Sequence, residues 1–137
     1  TRTTFHDPCR LGRHLGTYDE PREFLDAVSR RGFVEMQHSR ESATCCGGTC
    51  WMECGAAVKS LQNTRLDEAR ATGADRLVTA CPKCDIHFRC ALAADGARPA
   101  PRVENIVDLL AESLGLDVPP GPAEDSGGEK GGSNSGE

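Results

Sequence analysis

The sequence has no lysine- or arginine-rich stripe, no interleaving of aromatic with basic residues, no internal repeat, and no hydrophobic run of leader or membrane-span length. The first two absences remove the footprint by which a nucleic acid or an anionic membrane would be recognised, so no nucleic acid is expected among the partners. The last excludes a signal peptide or a spanning helix within these residues, and the segment reads as soluble. Basic residues are outnumbered, 16 Lys and Arg against 21 Asp and Glu, for a net charge of -5. Three of those five negative charges fall in the Pro-, Gly- and Ser-rich stretch from Pro119 to Glu137, which holds four acids and one lysine. Such a composition cannot offset the entropy of ordering a backbone, so 119–137 is expected to be a disordered tail. The remainder is nearly neutral and of about single-domain size. The chain opens on Thr1 and runs straight into strand-like residues. A piece of a longer chain is therefore expected, with any targeting signal in the part not seen.

What is present is an alternation of elements. A β-branched stretch Arg2–Phe5 is followed by a helix near Glu20–Arg31, a possible strand Gly32–Gln37 and a long helix near Met52–Thr72. "DRLVTACP" then reads as a strand, Pro82 to about Ala94 as a helix, "ARPAPR" as a link, and "VENIVDLLAESLG" as a final amphipathic helix ending at Gly115. On that helix Ile106, Leu109, Leu110 and Leu114 share one face, the pattern of a packing stripe. Strands alternating with helices favour an α/β unit with a mainly parallel sheet.

Cysteine is abundant, eight in 137 residues. Cys9 follows the turn-forming "HDP", Cys45 and Cys46 precede a helix, and Cys81 and Cys84 end a strand and open the next helix. Loops of this kind converge on one edge of an α/β sheet, where such folds place ligands. In "CPKC" the two-residue spacing lets both sulfurs face one metal, Pro82 suits the first helical position, and the helix dipole favours a thiolate at Cys81. A thioredoxin-like redox pair would explain "CPKC" but neither Cys9 nor the adjacent pair. A disulfide framework fits the even count, yet adjacent cysteines bridge poorly. In "SATCCGGTCWMECG", Gly47 and Gly48 relieve the Cβ restrictions on turning both sulfurs to a common centre, and their N–H groups can bond thiolates or sulfides. Five thiolates exceed the four that zinc or a cubane cluster takes; a cluster with bridging thiolates would use all of them, unless one stays uncoordinated.

Cys9, 35 residues, Cys45-Cys46-Gly47, 33 residues and Cys81-x-x-Cys84 form a signature that resembles the cysteine-rich CCG domain of heterodisulfide-reductase-type iron–sulfur oxidoreductases. "FHDPCRLGRHLGTYDEPREFL", "GADRLVTACPKC" and "VENIVDLLAESL" extend the resemblance over nearly everything before the tail. The domain also occurs in iron–sulfur subunits of glycolate-, lactate- and glycerol-3-phosphate-oxidising enzymes. The resemblance implies a small parallel-sheet, Rossmann-like CCG domain with helices on both faces over 1–118. It also implies that Cys9, Cys45, Cys46, Cys81 and Cys84 hold a noncubane [4Fe-4S] cluster used for disulfide reduction or electron transfer. Expected partners are an electron-transfer subunit (ferredoxin-like iron–sulfur, flavoprotein or membrane cytochrome b) and a small thiol/disulfide or quinone-linked substrate. The expected location is cytoplasmic, with the membrane reached through a partner. Relatives usually carry two such domains; this chain has one copy and none of the ferredoxin-like cysteine runs, and Arg10 stands where many relatives have histidine.

Outside the signature, Cys50 and Cys54 share a helix face, as a packing pair or a redox pair, and Cys90 reads as a small buried hydrophobe. His6 and His87 flank the ligands and are candidates for a hydrogen bond or a proton at the cluster edge, or for loop bracing. Arg10 and Arg13, with His14 and Tyr18 nearby, could hold an anionic substrate or serve only as solvated surface. Trp51 could shield the cluster or fill core. Two other functions remain at this level: a structural zinc domain, and a metal-free CxxC thiol oxidoreductase working through Cys81 and Cys84.

Overall fold

The computed structural model describes residues 1–29, 32–48, 55–96 and 98–118. The expectations for Cys50, Trp51 and Cys54, for a helix starting at Met52 and for a tail from Pro119 lie outside the described residues.

Three four-residue strands, β1 (Thr3–His6), β2 (Arg76–Thr79) and β3 (Arg102–Asn105), form a parallel sheet in the order β1-β2-β3. Strands joined by crossover helices are buried on both sides, and every residue of β1 is buried. Alternation along the strands then fills two cores. Phe5 and Val78 pack on one face with Leu25 of α1 (Asp19–Val28) and Leu109 of α4 (Ile106–Ser113). Leu77 and Val103 pack on the other with Leu66 and Ala69 of α2 (Ala56–Ala71) and Phe88 and Ala91 of α3 (Pro82–Asp95). The α/β class with helices on both faces is as expected from the sequence. α3 starts where Pro82 takes the first helical position behind Cys81. α4 starts where the Asn105 side-chain oxygen accepts the Val107 N–H at 3.1 Å.

The secondary structure and helix packing depart from the sequence expectations in three places. The strand expected at Gly32–Gln37 shrinks to one parallel bridge, Thr3 with Phe33. Beyond it Glu35 is drawn to the guanidinium of Arg22 and Met36 turns into the core, so the segment leaves the sheet edge. Val103–Asn105, expected as the start of the last helix, belongs to β3, paired in register with Leu77–Thr79. The stripe on α4 is only half packed: Leu109 is buried, whereas Leu110 is 43% exposed and Leu114, just past the helix end, 66%. Among the described residues no helix is long and apolar enough to cross a membrane.

Candidate metal centre

β1 and β2 end side by side, His6 next to Thr79, so the loops that follow them leave the same edge of the sheet. This is the carboxyl edge, where open α/β sheets bind ligands. The first loop runs through Asp7 and Pro8 to Cys9, which introduces one π-helical turn, Arg10–His14. Asp7 is clamped: Arg22 donates to its two oxygens at 2.8 and 2.9 Å, and the Arg40 N–H donates to it at 2.8 Å. Burial alone would raise the Asp7 carboxyl, but the bonds from Arg22 and Arg40 hold it below its usual range. One carboxylate thus ties the Cys9 loop to the segment that leads into Cys45 and Cys46.

That segment turns at Gly47, whose φ of +78° is left-handed and which lies so close to α2 that a Cβ would sit 3.1 Å from Val58 Cγ1. A Cβ at Gly48 would sit 3.1 Å from Cys46 Sγ. The Gly47 N–H donates to Cys45 Sγ at 3.3 Å, and the Gly48 N–H bonds Cys46. Each cysteine of the adjacent pair therefore receives a backbone donor from two residues on, as backbone nests do for anions. Cys81 caps α3 and Cys84 lies in its first turn.

All five signature cysteines, from three segments far apart in sequence, line one cavity of about 210 Å³, with Gly48, Arg10 and Lys83 also on its wall. Cys46 and Cys84 are buried, Cys9, Cys45 and Cys81 half-buried, and all five are free thiols. Cys46 lies beside Cys84 and His6, and the ligand atoms of the three are within 4.8 Å of one another. The neighbouring Cys84 thiol, chiefly, pulls Cys46 below the usual thiol range, and Cys46 together with burial pushes Cys84 up. Two neighbouring sulfurs whose protons are held so unequally favour a thiolate at the site. Burial holds His6 below the ordinary histidine value.

The other candidates separate in space. Arg10 is exposed at the cavity wall, whereas Arg13 turns to the backbone and donates to Ala43 O at 2.7 Å. His87 is buried with Nδ1 2.9 Å from Gln62 Nε2 and is not among the residues lining the cavity. His14 is exposed, and Tyr18 packs over Gly12, where a Cβ would come within 2.5 Å of its ring. Cys90 is not the buried hydrophobe expected: it is exposed, and its Sγ accepts from Lys59 Nζ at 3.1 Å. It falls outside the buried phase of α3, which runs through Cys84, His87, Phe88 and Ala91. Arg22, Glu35 and Arg65 do not stand out in the sequence, since none belongs to the cysteine signature and each meets partners from other segments. Lys83 lies inside "CPKC", but its place on the cavity wall becomes visible only in the fold.

The donor set suits an iron–sulfur cluster: clustered soft thiolates, backbone N–H groups on the sulfurs and glycines where side chains would intrude. A family model described as CCG, cysteine-rich domain, matches residues 3–89. One component of the dihydromethanophenazine:CoB-CoM heterodisulfide reductase of Methanosarcina barkeri is 39% identical over 118 residues, 82% of this chain and 28% of that protein. The probable iron-sulfur-binding oxidoreductase FadF of Bacillus subtilis is 37% identical over 84% of this chain and 17% of its own length. The EtfAB:quinone oxidoreductase of Syntrophomonas wolfei is 34% identical over 82% and 17% respectively. The chain thus spans under a third of the curated relatives it matches. No solved structure matches it significantly.

Proposed function

The chain belongs to the CCG cysteine-rich domain family, and on that premise we propose that it is the cluster-bearing domain of a larger iron–sulfur oxidoreductase of the heterodisulfide-reductase type. Cys9, Cys45, Cys46, Cys81 and Cys84 hold a noncubane [4Fe-4S] cluster, which when bound supplies one-electron chemistry for disulfide reduction or for relay to a quinone-linked carrier. The observation that carries this reading is the convergence of five free thiols on a single cavity. A disulfide takes up two electrons and two protons, so a domain that passes electrons singly needs an electron-transfer partner: a ferredoxin-like iron–sulfur protein, a flavoprotein or a membrane cytochrome b. Two of the relatives are named as a component of a reductase and a quinone oxidoreductase, in keeping with such a partner. A cytoplasmic location, with the membrane reached through that partner, follows from the same assignment.

The residues of the chain itself have distinct tasks. The N–H groups of Gly47 and Gly48 stabilise negative charge on Cys45 and Cys46. Burial of Cys46 and Cys84 keeps water from the inner sulfurs. Arg10 and Lys83 put positive charge on the wall of the cavity, where an anionic substrate would approach. The test is iron, acid-labile sulfide and zinc content of protein purified without oxygen, with an electron paramagnetic resonance spectrum after oxidation and thiol addition. About four irons and four sulfides per chain are expected. One zinc with no sulfide would replace the proposal with a structural zinc domain. Cys46→Ala is expected to lose or convert the cluster; an unaltered spectrum would overturn the five-ligand assignment.

A further inference from the structure

Arg65, in the middle of α2, has no exposed side-chain surface. Its Nε donates to His6 Nδ1 at 3.0 Å, and its Nη1 donates to the His38 carbonyl at 2.7 Å and to Glu68 at 2.6 Å. A guanidinium offers only donors and keeps its charge in proteins. His6 Nδ1 must therefore present its lone pair, and the single hydrogen of the neutral ring sits on Nε2. The ring is also fixed in orientation, edge-on to Phe88 with centroids 4.9 Å apart and planes at 88°.

This arrangement is the reverse of a metal-bound histidine. There the nitrogen away from the metal carries a hydrogen and gives it to a carboxylate, a carbonyl or water. Here the far nitrogen meets a donor. If Nε2 took iron, the ring would have to become imidazolate or turn an N–H toward the N–H of Arg65. His6 stands close enough to Cys46 and Cys84 to be mistaken for a ligand, yet its partner across the ring denies it that role.

We infer that Arg65 is a positioning residue that locks His6 as the Nε2–H tautomer, and that His6 turns this N–H to the Cys46 sulfur as a donor and does not bind iron. The redox consequence rests on Cys46 being a cluster ligand, as proposed above; the tautomer does not. A donor on a ligand sulfur favours the reduced, more negative state, so His6 raises the reduction potential.

The test uses the whole chain with its metal bound and compares His6→Gln, which keeps an N–H near the Nε2 position, with His6→Met, which has none. Iron content is expected to equal the parent in both. H6M is expected to shift the one-electron equilibrium about tenfold toward the oxidised state, about 59 mV, while H6Q stays near the parent. With ¹⁵N-histidine the oxidised protein is expected to show only the weak hyperfine coupling of a hydrogen-bonded nitrogen. Loss of iron in H6M, strong nitrogen coupling, or equal potentials in H6M and H6Q would overturn the inference. Arg65→Met, read only where its circular dichroism matches the parent, is expected to move the potential in the direction of H6M; a folded R65M with the parent's potential would remove Arg65 from the account. If the chain proves to hold zinc, the proposed function fails on its own, and long-range ¹⁵N–¹H correlations in that diamagnetic protein decide the tautomer. Nε2–H upholds the assignment, and Nδ1–H or a doubly protonated ring overturns it.

Discussion

Two buried arginines stand on opposite faces of the sheet and are compensated differently. Arg22, from α1, sits over the rings of Phe5 and Phe33 and is gripped by two carboxylates, Asp7 and Glu35. Burial would lower it, but the bonds to Asp7 and Glu35 more than reverse that, and it ends above the ordinary arginine value. Arg65, from α2, has one carboxylate, one carbonyl and one imidazole, and among the described residues its Nη2 has no hydrogen-bond partner. Its burial outweighs the attraction of Glu68, and it ends below the ordinary value. A charge met by two anions acts as scaffold, fixing the loops that carry Cys9 and the adjacent pair. A charge left partly uncompensated acts on its neighbour, and that neighbour touches the site.

Removing the scaffold charge is the harshest way to probe this contrast. Arg22→Met leaves the buried carboxylate of Asp7 unpaired and is expected to cost about 3–5 kcal/mol in urea unfolding; a loss under ~1 kcal/mol would mean that the two arginines do not differ in kind. On the site face, Gly47→Ala forces a side chain into a left-handed φ and against Val58, for a loss of about 1–2 kcal/mol accompanied by reduced iron content. Full iron retention in G47A would show that the turn after the cysteine pair is not under tension. Asn105→Ala removes the cap of α4, on the Arg22 face, and should lower stability by ~1 kcal/mol with iron per folded chain unchanged. A drop in iron there would dissolve the division between the faces. Cys90→Ala, at an exposed thiol outside both networks, should stay within about 0.5 kcal/mol of the parent and keep its metal, as elemental analysis would check.

The parts of this picture legible in the sequence are those written in short range. The spacing of the cysteines, the Pro82 helix start and the glycines after the cysteine pair all carry their signal within a few residues, and the structure sets those residues around one cavity. β3 was not legible because "VENIVDLL" continues an apolar helical period without a break; its first residues are strand because β2 offers them a parallel partner. The exposure of Cys90 was encoded in the phase of α3, but only once Cys84, Phe88 and Ala91 are known to face inward. The bond between Arg65 and His6 spans 59 positions, and an arginine inside a helix gives no local sign of it.

The five thiols stand at one cavity only because β1 lies beside β2. In an unfolded chain the three cysteine-bearing segments are separated by more than thirty residues each, and no pair of them forms more than a fragment of the site. A cofactor that needs all five would enter only after the long-range pairing of β1 with β2 is complete. A centre held by all five would then act as a clasp, adding to the folded state whatever free energy its binding releases.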